Sequence, residues 1–159
     1  MTIIWRDGDS VRKNLRAWLP GMAADFFKAG RKAMKPKRTW DEMHKFRLAA
    51  KEFRYTLELF RPVLGVELET RLEAVRTIQQ LLGDVNDAVS VRNLLADLDA
   101  AHPLREKLAK KAESGRKTLM QYWNGEFDAP GELKKWEAYL RADASHPKKK
   151  AQQKVRARP

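Results

Sequence analysis

Apolar side chains recur at spacings of three and four residues along most of this chain, and this periodicity restricts its fold to packed helices. In the first long segment the recurring positions are Val11, Leu15, Trp18, Met22, Phe26 and Ala33. Residues with this spacing lie on one face of an α-helix, which needs a partner element to bury it. Ala, Leu, Glu, Lys and Arg dominate, whereas Gly and Pro number only 8 and 7 of 159 residues. Because these are helix-forming residues, we expect an all-α protein with almost no strand.

Capping residues and breakers place the first two helices. The first is predicted from Val11, capped by Asp9 or Ser10, to near Met34, and it is either kinked or split at Pro20-Gly21. Thr39 and Glu42 have the spacing of a capping box, which predicts the start of a second helix there. Pro62 is expected to stop that helix near Arg61.

Four further helices are predicted downstream. They span 67–82 with Gly83 as the C-terminal cap, then Asp84 or Asp87 to about Leu98, then 104–127 and 132–141. Short connections favour antiparallel neighbours, so we expect an up-down bundle of four to five main helices. The predicted organisation is an N-terminal extension over 1–9, a bundle over 10–141 and a disordered basic tail over 142–159, which has little to bury.

Positive charge is concentrated in parts of the sequence. The net charge of +12 divides into +8 over residues 1–62, −4 over 63–101, +2 over 102–146 and +6 over 147–159. An anionic partner is the natural inference, and a merely solubilising surface charge is the alternative.

The second helix carries the most regular pattern. At about 100° per residue, Met43, Phe46, Ala50, Phe53, Leu57 and Phe60 form its apolar face. His44, Arg47, Lys51 and Arg54 form a row beside that face, one turn apart, over roughly 15 Å. Like charges at this spacing repel, so helix stability does not select them. Phosphates along a linear anion could each meet one of these cations.

Other residues are candidates for the same surface. Glu58 lies near the row and could orient an Arg, and Trp40 and Tyr55 are the aromatics that could lie near a ligand. The remaining cationic candidates are on the first helix and in the connection to the second: Arg12, Arg16, Arg31, Lys35, Lys37 and Arg38. Taken singly, each is more often a solvated charge than a ligand contact.

Several classes of chemistry find little support. The chain has no cysteine, which excludes disulfides and fits a cytoplasmic protein. No apolar run reaches the roughly 18 residues that span a membrane, and the N-terminus lacks the apolar stretch of a signal peptide. His44 has no other ligand at metal-binding spacing, so a phosphate contact, sensitive to pH, or a packing role is preferred to a metal site. No cofactor and no catalytic residue is predicted.

Two segments resemble a known family. Residues 44–60, HKFRLAAKEFRYTLELF, look like the signature helix of CHAD domains, histidine-containing α-helical domains that bind inorganic polyphosphate. Residues 79–87, QQLLGDVND, resemble that family's second motif. The resemblance covers roughly residues 10–127 and implies non-catalytic polyphosphate binding, associated with polyphosphate stores in the bacterial cytoplasm. It assigns the basic positions of the signature to His44, Arg47, Lys51 and Arg54.

The resemblance also implies roles for neighbouring residues. Tyr55 and Glu58 match flanking positions of the signature, while Asp84 and Asp87 match the second motif, where we expect helix capping rather than a cation site, together with a salt bridge that steadies an Arg. Family members usually contain two such halves, and this chain has one, similar to the C-terminal half. We therefore expect a homodimer that rebuilds the double bundle.

Two other functions stay open at this point. A helical nucleic-acid-binding protein would use the same basic face with the tail as an arm, although few aromatics are available for base stacking. An enzyme acting on phosphate esters or anhydrides is the weakest alternative, because neither a magnesium-binding carboxylate set nor a nucleophile–base pair is recognisable.

Overall fold

The computed structural model describes residues 5–36 and 38–142, and within these ranges the chain is helical without any strand. The α-helices are α1 (Val11–Ala33), α2 (Trp40–Leu59), α3 (Arg61–Leu64), α4 (Leu68–Leu94), α5 (His102–Tyr122) and α6 (Glu132–Arg141). A 3-10 turn, Asp99–Ala101, precedes α5, and a π-helical turn, Trp123–Phe127, follows it. The prediction of an all-α helical bundle is confirmed.

The long helices α1, α2, α4 and α5 pack against one another in chain order. α2 packs between α1 and α4, α4 also packs against α5, and α6 packs on α1. α6 also packs into the aromatic core, where its Trp136 contacts the rings of Phe27 on α1 and Phe53 on α2. In addition, the Tyr139 hydroxyl donates to the Leu64 carbonyl at 2.9 Å.

An aromatic cluster forms the centre of the core. The ring centroids of Phe26 and Phe53 lie 4.6 Å apart, and Trp123 stands edge-on to Phe26 and Phe46. A Cβ added at Gly30 would come within 2.0 Å of the Trp123 ring. Gly30 therefore permits the close approach of α1 to the end of α5.

The capping predictions at the first two helices are confirmed. Ser10 accepts from the backbone N–H of Lys13, and Thr39 and Glu42 form both bonds of a capping box. α1 passes through Pro20 as one helix, so of the two alternatives at Pro20-Gly21 the split is excluded. Pro62 does not stop α2, which ends at Leu59; it occupies the first turn of α3, where its missing N–H costs nothing.

The predicted break at Gly83 is wrong. α4 runs without interruption from Leu68 to Leu94, so Gly83 is no C-terminal cap and neither Asp84 nor Asp87 caps a helix. Val85 and Val89 are buried on the face that Leu82 also occupies. Burying two such side chains stabilises the helix by about 1.5–3 kcal/mol each, whereas an interior Gly costs about 1 kcal/mol. The free energy gained by burying Val85 and Val89 therefore exceeds the cost of having Gly83 inside the helix.

Some expectations concern residues outside these ranges. The basic tail beyond residue 142 and Lys37 lie outside the described residues. None of the helices in the described part of the chain combines the length and the hydropathy needed to cross a membrane.

Candidate functional site

The four cationic positions predicted on α2 lie along one edge of that helix. His44 is exposed, whereas Arg47, Lys51 and Arg54 are partly buried beside the core-facing surface. That surface is fixed by Met43, Phe46, Ala50, Phe53 and Leu57, all buried as expected. Because the apolar face docks on the core, the row is held at the boundary between α2 and its neighbour α4.

Two polar contacts join this edge of α2 to α4. His44 Nδ1 lies 3.0 Å from Asn86 Oδ1 near one end, and Arg76 donates to Glu58 Oε1 at 3.2 Å near the other. Between the two contacts, helical spacing places Gln79 and Gly83 on the same edge of α4. We call the surface formed by the row on α2 and by Arg76, Gln79, Gly83 and Asn86 on α4 the α2–α4 seam.

The middle of the seam is open and uncompensated. A Cβ added at Gly83 would meet no atom within 4 Å, so α4 presents free space there. Arg47 and Lys51 have no carboxylate partner among residues 5–36 and 38–142. The Lys51 ammonium lies 6.0 Å from the centroid of the Tyr55 ring, a contact that leaves its three donors available.

The end of the seam near Arg54 is a salt-bridge cluster. Arg54 donates to Glu58 at 3.0 Å and its guanidinium lies 4.6 Å from the Tyr55 ring, while the orienting roles of Glu58 and Tyr55 stay predictions. Arg76 reaches Glu58 from α4 and also pairs with Glu73 and Glu69. Hydrogen bonds with Glu73 and then Glu58 raise the pKa of Arg76. This end is therefore nearer to neutrality than the middle.

At the opposite end the His44–Asn86 contact borders a shallow pocket. The pocket is lined by Trp40, Met43, His44, Leu82, Val85, Asn86 and Val89. Since an amide oxygen only accepts, His44 Nδ1 carries the hydrogen of this bond. The ring is thereby oriented, and Nε2 is its remaining polar atom.

The other predicted cations are distributed away from the seam or are already paired. Arg31 forms two bonds of 2.7 Å with Asp128, 97 residues away, in the turn before α6. Arg38 pairs with Glu42 at 2.7 Å within the capping box. Arg12 and Arg16 are partly buried on α1, and Lys35 is exposed just after α1.

Asp84 and Asp87 have a different role from the one predicted. Both are exposed on α4, and Asp84 accepts from the Gln80 amide at 3.0 Å. Across the described residues neither forms an ion pair with an Arg, so the idea that one of them steadies an Arg is wrong. Within those ranges no cluster of three or more His, Asp or Glu side chains has metal-binding geometry.

Sequence reasoning missed the contribution of α4. Asn86 and Arg76 were not selected, although Arg76, Gln79, Gly83 and Asn86 recur at three- and four-residue spacing. That periodicity was hidden because a helix break was assumed at Gly83.

The described residues form an all-α bundle in which a row of basic side chains on α2 borders α4. The family model described as CHAD domain matches residues 4–96, more than half of the chain, and the protein therefore belongs to the CHAD domain family. The match extends from α1 through α4 and ends before α5. Searches among curated proteins and among solved structures returned no match.

Proposed function

We propose that this protein binds inorganic polyphosphate along the α2–α4 seam, without catalysing a reaction. The observation that carries this proposal is that Arg47 and Lys51, in the middle of a row of cations, have no carboxylate partner in the described part of the chain. Membership of the CHAD domain family, whose members bind polyphosphate, supports the same ligand.

The chemistry of the seam fits a chain of phosphates better than a single one. Helical geometry separates successive residues of the row by a rise of about 4.5–6 Å along one edge of α2. A guanidinium offers two parallel donors to phosphate oxygens, and an ammonium acts as a point charge. A linear polyanion can meet these groups in succession, whereas a monophosphate reaches only one or two of them.

Nucleic acid is the competing ligand. Proteins that bind single strands usually stack bases on exposed aromatic rings. Of the two aromatics near the row, Tyr55 already has Arg54 over its ring at 4.6 Å and Lys51 at 6.0 Å, and Trp40 has Arg116 at 6.0 Å. This occupation disfavours base stacking at Tyr55 and favours a ligand without bases.

A double variant tests whether polyphosphate binds at the seam. Arg47→Ala combined with Lys51→Ala is expected to lower the affinity for labelled long-chain polyphosphate by about 100-fold or more, since charge-assisted hydrogen bonds contribute about 1.5–3 kcal/mol each. The control is Lys45→Ala, because Lys45 belongs to the same helix but is paired with Asp41 at 2.7 Å on the exposed side. Equal affinity of the double variant and this control would remove the seam from the proposal.

Competition identifies the ligand class. Single- or double-stranded DNA, added at the same phosphate concentration, is expected to leave labelled polyphosphate bound. Efficient displacement by DNA would instead support the nucleic-acid function. Release of phosphate from polyphosphate or ATP in the presence of magnesium would contradict the non-catalytic part of the proposal.

We further propose that two chains associate through the outward face of α2. Leu48, Tyr55 and Leu59 are 50%, 50% and 71% exposed beside the basic row, a position where a monomer would gain solubility from polar residues. A symmetric contact there would bring two seams together. Light scattering should give twice the 18.4 kDa of one chain, and Leu48→Glu with Leu59→Glu should reduce it to one. A monomeric mass at micromolar concentration together with tight polyphosphate binding would contradict the dimer.

A further inference from the structure

We infer that Arg116 of α5 extends the anion-binding surface past His44, so that a long polyphosphate chain contacts a helix that the family match does not include. This inference rests on the proposed function, because it names a further residue of the same site. Arg116 lies 20 residues beyond the end of the match at residue 96. It is partly buried on α5.

Trp40 connects Arg116 to the row on α2. Trp40 lies four residues before His44, so its side chain continues the same edge of α2 by one turn. Trp40 and His44 also line one pocket together with Asn86. The surface that begins at Arg54 therefore continues without a break from His44 to Trp40.

Arg116 lies beside Trp40, at the end of this surface that is farthest from Arg54. Its Cζ lies 6.0 Å from the centroid of the Trp40 ring, and one of its terminal nitrogens donates to the Lys35 carbonyl at 3.3 Å. A guanidinium has five N–H donors, so this single bond leaves most of its donors unused. Among the described residues Arg116 has no carboxylate partner, and the side chain of Lys35 is exposed nearby.

The charge pattern distinguishes this end of the seam from the other. At the Arg54 end, Glu58, Glu69 and Glu73 compensate the arginines. At the Trp40 end, Arg116 adds a cation that no described carboxylate neutralises. A phosphate chain that outgrows the row is therefore attracted towards α5, and it is less attracted towards the Arg54 end.

A purely structural role for Arg116 is the alternative. Its bond to the Lys35 carbonyl ties α5 to the connection between α1 and α2, and loss of that tie could disturb the site indirectly. Such a disturbance would lower binding of every ligand length. A direct contact would instead affect only chains long enough to reach past His44, which is about 15 Å from the far end of the row.

The experiment compares two ligand lengths on the full chain. Affinities are measured for a short polyphosphate that spans no more than the row and for a chain of several tens of phosphates. Arg116→Gln is expected to weaken binding of the long chain by about tenfold, the loss of one charge-assisted hydrogen bond, and to leave the short chain within about twofold. Lys117→Gln, the same charge change on the next and exposed residue, should alter neither.

Each other outcome has a defined meaning. The inference is overturned if Arg116→Gln binds both ligands as Lys117→Gln does. It is also overturned if Arg116→Gln weakens binding of the short and the long polyphosphate equally and lowers the unfolding temperature. Arg116→Lys, which retains the charge, should recover part of the long-chain affinity. Arg47→Ala should weaken both lengths; if it weakens neither, the proposed function itself fails, and that failure is distinguishable from failure at Arg116 alone.

Discussion

The imidazole of His44 on α2 and the amide of Asn86 on α4 are joined by a hydrogen bond of 3.0 Å. This bond links the two sequence segments that resemble CHAD motifs, and it fixes the ring of the histidine at one end of the seam. The acceptor on α4 holds the Nδ1–H, so Nε2 is the nitrogen left for a ligand, and it donates to a phosphate oxygen only when the imidazole carries a hydrogen on both nitrogens.

We predict that Asn86 contributes to binding only through His44. Asn86→Ala should weaken polyphosphate binding by about threefold to tenfold, because the ring loses its orientation and gains rotational freedom. In a His44→Ala background the same change should have almost no further effect, which a double-mutant cycle measures. Asn93→Ala, on an exposed position of α4, is the control. Additive losses from Asn86 and His44 would show that the two residues act independently.

The number of paired phosphates should appear in the salt dependence. For a flexible single-chain polyanion, the logarithm of the affinity falls with the logarithm of salt concentration by about 0.7 per neutralised phosphate. Replacing both Arg47 and Lys51 by Ala should therefore make the slope less negative by about 1.4. Titrations at several salt concentrations provide the slope. An unchanged slope would mean that these two side chains do not pair with phosphates.

Two glycines on different helices should respond in opposite ways to alanine. At Gly30 a Cβ would lie 2.0 Å from the Trp123 ring, which the surrounding aromatic rings hold in place, so Gly30→Ala should lower the free energy of unfolding by about 1–3 kcal/mol or more. At Gly83 a Cβ meets nothing within 4 Å inside a continuous helix, so Gly83→Ala should raise it by about 0.5–1 kcal/mol. Urea unfolding followed by circular dichroism tests both, and a destabilised Gly83→Ala variant would instead indicate a cap.

Alkaline pH should weaken the contact that holds α6. Burial raises the pKa of Tyr139 to about 12, and its hydroxyl donates to the Leu64 carbonyl. The neutral phenol is thus favoured in the folded chain, so this contribution to stability is complete below the ordinary tyrosine pKa near 10 and is lost as the pH rises towards 12. Tyr139→Phe should be less stable at pH 8 but should decline less between pH 10 and 12.

The control for this titration is Tyr55→Phe, because Tyr55 lies on α2 and its side chain is half exposed. Free energies of unfolding in urea at a series of pH values give the comparison. If the wild type and Tyr139→Phe decline in parallel above pH 10, the buried hydroxyl of Tyr139 is not the source of the alkaline sensitivity.

Local rules were sufficient for much of this protein. The start of α2 follows from Thr39 and Glu42, three residues apart, and the start of α6 follows from Pro130 and Gly131 just before it. The row from His44 to Arg54 follows from helical spacing alone. Each of these features depends on interactions within about one helical turn, and the sequence displays such interactions directly.

Only the tertiary structure decided which of these cations remain available. Arg31 is compensated by Asp128, 97 residues away, whereas Arg116 of α5 meets Trp40 of α2 and the Lys35 carbonyl in the connection between α1 and α2. Likewise α4 continues through Gly83, because Val89 is buried against Trp40 of α2 and Ala112 of α5, and Val85 is buried on the same face. Pairing and burial of this kind depend on which helices pack together, and the periodicity of a single helix carries no information about the charges that its neighbours bring.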